Sequence, residues 1–130
     1  MICVVDTSVW VRAFGNPAGL EARHLARLMR TDAMVLSAPV RVELLSGASR
    51  ETLGPLRERL SALPQAVPDN GTWDRMEEWL AAAVAAGQRF SLADLLIAAT
   101  AAERNAPVWS LDADFERMQK LGFVELYAAP

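Results

Sequence analysis

Residues 2–5, Ile2-Cys3-Val4-Val5, form an apolar run too short for a helix and without polar alternation, and the run stops abruptly at Asp6. A strand of this kind suits burial on both faces, the situation of strands inside a parallel sheet. Parallel neighbours cannot be joined by tight hairpins, so such a strand calls for crossover helices in the remainder of the chain.

The helices are there. From Leu20 to Met29, apolar positions 22, 25, 26, 28 and 29 recur at helical spacing, with Glu21, Arg23, Arg27 and Arg30 outside. Before them, Thr7 and Ser8 offer capping hydroxyls after the first strand. A second apolar run, Ala33 to Leu36, leads through Ser37 and Pro39 into a helix that carries Glu43 and stops at Gly47. Residues 51–62 read as a helix, and Gln65-Ala66-Val67, between Pro64 and Pro68, as a short strand. Thr72 caps a stripe of Trp73, Met76, Trp79, Leu80, Ala83 and Val84 that ends near Gly87. Ser91 opens the most apolar helix, in which Asp94 is the only charge between Phe90 and Ala102. Pro107-Val108-Trp109 reads as a strand, Asp112 to Lys120 as a helix closed by Gly122, and Phe123 to Leu126 as a last strand. The alternation predicts an α/β protein, a three-layer α/β/α sandwich around a short parallel sheet, with residues 1–130 forming a single domain.

Composition is compatible with that fold. A chain of 130 residues with 52% hydrophobic side chains can build its core without staples, and Cys3, the one cysteine, excludes an intramolecular disulfide. Lying inside an apolar run, Cys3 reads as a small buried hydrophobe. No basic stretch followed by a long apolar one opens the sequence, and no apolar run approaches the roughly 20 residues that cross a bilayer. The expectation is a soluble cytoplasmic protein with no membrane partner. A net charge of −3 gives no global attraction to polyanions but leaves room for a local basic patch. All but one of the thirteen basic residues are arginine, so any chemistry that needs a lysine has only Lys120.

Four acids stand where apolar segments meet turns or helix starts: Asp6, Glu43, Asp94 and Asp112. Open parallel sheets bind ligands beyond the carboxyl ends of their strands, and Asp6 and Asp112 both follow predicted strands. Glu43 and Asp94 are expected early in helices whose N-termini border the same rim. Carboxylates gathered without a counter-ion repel one another and raise at least one pKa, a penalty that a hard divalent cation removes. Oxygen-only donors favour Mg²⁺ or Mn²⁺ over zinc, and His24 has no spaced partner. Such a site suits hydrolysis of phosphate esters.

Each acid also has an ordinary structural use. Ser91 and Asp94 have the spacing of a capping box, Asp112 can be a plain N-cap, Asp6 a turn aspartate, and Glu43 an exposed helix residue. Their order along the chain carries more than any one of them.

Val4-Val5-Asp6-Thr7-Ser8, Glu43-Leu44-Leu45-Ser46-Gly47, Asp94-Leu95-Leu96-Ile97-Ala98-Ala99 and Ser110-Leu111-Asp112-Ala113-Asp114-Phe115 together resemble the PIN-domain family, and within it the VapC-type toxin ribonucleases. The similarity spans nearly the whole chain. It implies a small parallel sheet with helices on both sides and an Mg²⁺- or Mn²⁺-dependent endoribonuclease. Asp6, Glu43, Asp94 and Asp112 match the family's acidic quartet, which would serve both as metal ligands and as catalytic residues, with Asp6 and Asp94 the principal ligands. Asp114 matches a further acid of more variable role and ranks below them. Ser110 stands where threonine is frequent, and Thr7 and Ser8 match the usual hydroxyl pair. The resemblance also implies an RNA substrate, a cognate antitoxin lying across the toxin, and a homodimer.

Arg12, Arg41 and Arg89 are close in sequence to the acids and are candidates for holding an RNA backbone, with solvated surface arginines the ordinary alternative. Trp10 can stack a base or pack in the core, and Trp10, Phe14 and the apolar helices between residues 18 and 62 can furnish an antitoxin groove or simply pack internally. An aspartyl phosphatase of the haloacid-dehalogenase type would need an acid where Ser8 stands, and a phospho-acceptor receiver domain would need paired acids after the first strand. A catalytically inactive PIN-like scaffold, acting as a protein-binding module, is the remaining alternative; loss of an acid would mark it, and all four are present.

Overall fold

In the computed structural model, which describes residues 2–129, β1 (Cys3–Val5) lies inside a four-stranded parallel sheet of order β3-β2-β1-β4. Its partners are β2 (Met34–Ser37) on one side, with Val4 opposite Val35, and β4 (Val108–Trp109) on the other, with Val5 opposite Trp109. β3 (Gln65–Ala66) extends the sheet beyond β2. Every residue of β1, β2 and β4 is buried, so both faces of the sheet are covered, as the lack of polar alternation in the first run demands.

The helices are α1 (Thr7–Gly15), α2 (Leu20–Arg30), α3 (Ala38–Ser46), α4 (Leu53–Ser61), α5 (Asn70–Ala85), α6 (Leu92–Glu103) and α7 (Asp114–Lys120). α6 is the core helix: Leu95, Ile97, Ala98, Ala99, Thr100 and Ala101 are all buried, and it packs on β1, β2, α3 and α5. Its one buried hydroxyl is satisfied. Thr100 Oγ1 donates to the Ile97 carbonyl at 2.9 Å and lies 2.7 Å from Ser37 Oγ, which ties the end of β2 to the middle of α6.

Four helices end in the same way. Asp32, Gly87, Asn105 and Gly122, following α2, α5, α6 and α7, have positive φ, and the next residue's N–H reaches back to a carbonyl of the last turn, as from Gln88 to Ala83 at 2.8 Å. This left-handed ending satisfies orphan carbonyls and turns the chain sharply; after α2 and α6 it returns the chain to a strand. Gly87 and Gly122 are the stops expected from sequence.

Three boundaries differ from expectation. A helix begins at Thr7 with Asp6 itself as N-cap, because Val9, Trp10 and Ala13 form a buried stripe that packs on α2 and α3. α5 starts at Asn70, and its cap is Asp69 rather than Thr72. The segment after Gly122 pairs with β4 through a single parallel bridge, Val108 to Leu126, flanked by hydrogen bonds from Val108 N–H to Glu125 and from Tyr127 N–H to Val108. It is a sheet edge rather than a full fifth strand. Tyr127 anchors it: its hydroxyl lies 2.8 Å from His24 Nε2, and the His24 ring meets Trp109 edge-on.

Candidate metal centre

The sheet order reverses direction at β1. The chain builds outward from β1 to β2 and β3, then returns to lay β4 on the opposite side. Crevices at such a reversal, outside the carboxyl ends of the strands, are where open α/β sheets bind ligands. Asp6 follows β1 and Ser110 follows β4, so the two stand side by side at that point.

Asp6 is 4% exposed, and a carboxylate so buried must be satisfied. The Ser8 hydroxyl donates to Asp6 Oδ2 at 2.6 Å and the Ser110 hydroxyl donates to the same oxygen at 2.8 Å. These hydroxyls accept in turn: Ser8 Oγ from Leu111 N–H at 3.0 Å, and Ser110 Oγ from Asp112 N–H at 2.9 Å. Two serines thus strap the loop that carries Asp112 to the acid at the end of β1, leaving Asp6 Oδ1 outside the strap.

Asp112 has its own turn to make, its Oδ1 accepting from Asp114 N–H at 2.9 Å. This local bond sets the direction of the chain entering α7. It brings Asp114 inward, and Asp94, Asp112 and Asp114 each offer a carboxylate oxygen within 4.8 Å of the others. Asp114 is the acid ranked below the quartet on sequence. Its signals in the sequence are its match to a further acid of the family motif and its two-residue spacing from Asp112; its placement itself depends on the turn.

Asp94 is the third residue of α6 and half-buried. Ser91 Oγ accepts its backbone N–H at 3.1 Å. Burial, then the negative charges of Asp112 and Asp6, raise its pKa to about 6, with the Ser91 hydroxyl opposing and Asp114 adding a smaller push. Asp6 is therefore close enough to be felt by the trio. Glu43 stands further out: it lies more than halfway along α3 rather than early in it, is exposed, and accepts from the Thr7 hydroxyl at 2.7 Å. Thr7 links it to the end of β1.

The one cation paired with the cluster among the described residues is Arg117, 2.7 Å from Asp114. Three converging carboxylates, a fourth beside them and a single arginine at the margin leave excess negative charge. The donors are oxygen only, which suits a hard divalent ion with its own waters. Asp6, Asp94, Asp112 and Asp114 can hold such an ion, and Glu43 can face its waters.

The other residues singled out on sequence fall elsewhere. Arg12 is 3.6 Å from Glu21, and Arg41 donates to Ser61 and Gln65, which turns it toward α4 and β3. Trp10 is only 3% exposed and packs in the core, with Phe14 against it at 6.0 Å. Arg89 is exposed.

The fold is thus a parallel α/β sheet with Asp94, Asp112 and Asp114 gathered near its reversal point and Asp6 beside them. The PIN domain matches residues 3–121, and the chain belongs to the PIN-domain family. It is 32% identical over 123 residues to ribonuclease VapC11 of Mycobacterium tuberculosis, which covers 91% of this chain and 92% of that one. In fold it is similar to a chain of VapBC2 from Rickettsia felis bound to a DNA fragment from their promoter, with a TM-score of 0.78, 20% identity and 98% of each chain covered. It is also similar to Mycobacterium tuberculosis VapC20, a Sarcin-Ricin loop cleaving toxin, with a TM-score of 0.64, 21% identity and 97% and 99% coverage.

Proposed function

We propose that this chain is an Mg²⁺-dependent endoribonuclease, with Mn²⁺ able to substitute, acting as the toxin of a toxin-antitoxin module in the cytoplasm. The observation that carries the reading is Asp94: a half-buried carboxylate at the start of the core helix, facing other acids, with its pKa raised to about 6. A group so placed costs stability unless a cation is its purpose. The similarity to VapC11, a ribonuclease, supports the same reading.

Asp6 and Asp94 are the principal ligands in this reading, with Asp112 and Glu43 completing the set and Asp114 at its edge. When bound, the divalent ion supplies Lewis-acid stabilisation of phosphoryl charge and a more acidic water. The protein's share is positional. Ser8 and Ser110 fix one oxygen of Asp6, so that its other oxygen keeps a single direction. Asp112 is held by its own turn, and Thr7 steadies one oxygen of Glu43, leaving the second to orient an incoming water. Attack forms a bond from the water oxygen to phosphorus and breaks the bond to the 3′ oxygen, which takes up a proton. The products carry 5′-phosphate and 3′-hydroxyl ends. No 2′-hydroxyl takes part, so selection of RNA rests on binding.

The partner in this reading is a cognate antitoxin. A cavity of about 510 Å³ lined by Phe14, Leu44, Pro55 and Leu56 offers an apolar groove, and Phe14 is 53% exposed beside it. The occurrence of VapBC2 as a complex bound to promoter DNA supports such a partner. A homodimer is proposed as the resting assembly, to be checked by mass in solution.

The test is cleavage of RNA by purified protein with Mg²⁺, followed by mapping of the ends. Chelation or Asp94→Asn is expected to abolish cleavage while the fold, read by circular dichroism, persists. Metal-independent cleavage that survives the substitution would overturn the assignment.

A further inference from the structure

Beside the acid cluster, a groove of about 700 Å³ runs between the end of α5, the segment entering α6, and α7. Its walls are Leu80 and Val84 from α5, Gln88, Arg89 and Phe90 from the connecting segment, and Arg117 from α7. Arg117 belongs to both places. Its guanidinium donates to Asp114 Oδ1 at 2.7 Å, to the Arg89 carbonyl at 3.2 Å and to Gln88 Oε1, and it lies over the Phe90 ring at 4.4 Å from the centroid. One fork therefore fastens the groove wall to Asp114, an acid of the cluster.

The arginine that remains available is Arg89. It is exposed, and its side chain forms no ion pair among the described residues. Its backbone is fixed, because its carbonyl is one of the groups that Arg117 holds. Arg12 and Arg41 are turned to other partners, whereas Arg89 and Arg117 are the two cations lining this groove, and Arg117 touches the acid cluster through Asp114. Leu80 and Val84, 42% and 73% exposed, add an apolar floor.

A nucleic-acid strand with one phosphate at the acid cluster must place its next phosphate within a nucleotide's length. A surface with net charge −3 repels that phosphate unless a cation stands there. The groove offers a cation for the phosphate, an amide for a base edge and an apolar floor for a base face. We propose that it binds the nucleotide next to the scissile bond of a single-stranded RNA segment, with Arg89 as the phosphate contact and Arg117 as the residue that positions the wall. The proposal rests on the nuclease reading above and adds to it a direction for the strand across the surface.

The test compares Arg89→Glu with Arg30→Glu, a charge reversal of equal size on an exposed residue next to the opposite, amino end of the sheet. With all the acids intact, binding of a labelled single-stranded RNA analogue with non-cleavable linkages is followed with Mg²⁺ across salt concentrations. Arg89→Glu is expected to weaken binding about tenfold or more and to reduce the salt slope by about 1, as loss of one phosphate contact should. On cleavable RNA, Arg89→Glu should raise KM with kcat held within about twofold, and leave the melting shift caused by Mg²⁺ unchanged. Arg30→Glu should do none of this. Equal RNA affinity and salt slope for the two variants would overturn the groove while leaving the nuclease reading standing. If the unsubstituted protein cleaves no RNA with Mg²⁺, the nuclease reading fails, and the groove proposal falls with it.

Discussion

Two helix starts in this chain have nearly the same chemistry and opposite outcomes. At α5, Asp69 and Thr72 are three residues apart, and at α6 Ser91 and Asp94 are three apart with the hydroxyl and the acid exchanged. At α5 the exchange is closed. Asp69 Oδ1 accepts Thr72 N–H at 3.1 Å, Thr72 Oγ1 accepts Asp69 N–H at 2.9 Å, and the threonine proton goes to Glu103 Oε1 at 2.6 Å. At α6 the cap is one-sided: Ser91 Oγ accepts Asp94 N–H, and the reciprocal bond, from Ser91 N–H to the Asp94 carboxylate, is absent among the described residues. One carboxylate is spent on its helix. The other is held half-buried beside Asp112 and Asp6. A capping motif thus says where a helix begins, and the acid it leaves unspent says where chemistry is to be sought.

The largest test of this contrast is catalytic. Asp94→Asn should lower the RNA cleavage rate by about two orders of magnitude or more, the scale of losing a group that acts in the transition state. Asp69→Asn, which keeps a capping oxygen, should leave the rate within about twofold. Equal losses in both would erase the distinction. Metal linkage comes next. Mg²⁺ at about a hundred times its dissociation constant should stabilise the folded chain by about 2.7 kcal/mol, seen as a rise of several degrees in Tm. The shift should survive Asp69→Ala and be lost in Asp94→Asn.

The pH response without metal separates the two acids further. A carboxyl whose pKa is raised in the folded state binds its proton more tightly there than in the unfolded chain. Asp94 therefore contributes stability that is full below about pH 4 and is lost as pH climbs through about 6. The Tm of the metal-free protein relative to that of Asp94→Asn should fall between about pH 4 and about pH 6, and a flat difference would show that Asp94 ionises freely. The smallest effect belongs to the cap: Asp69→Ala should cost about 1 kcal/mol in chemical denaturation at pH 7, with no change in the Mg²⁺ response.

What the sequence made legible follows the same division. The runs at residues 2–5 and 33–36 announce buried strands, and the acids that follow a strand or a cap are visible by position. Asp114 joins Asp94 and Asp112 in space through one hydrogen bond within the Asp112 turn, a geometry that the sequence alone does not display. The sequence places Glu43 early in its helix, but the helix starts at Ala38, directly after β2, so Glu43 lies past its middle, exposed and tied only to Thr7 at the end of β1. α1 is hidden in the sequence because its N-cap is Asp6, an acid that the pattern of carboxylates already marks as a candidate ligand. The last strand was overread, since an apolar Phe123-Val124 pair is buried as readily at a sheet edge as within one.

The serine strap on Asp6 has a consequence for synthesis. It joins residues 104 positions apart, and β4, which carries Ser110 beside Asp6, is among the last elements made. A chain still growing on the ribosome has Asp6, Glu43 and even Asp94 before it has Ser110 or Asp112, so its acids have nothing to hold them at one point. On the proposed nuclease reading, truncation before Ser110 should yield an inert fragment rather than a weak enzyme, which an RNA cleavage assay of that fragment checks.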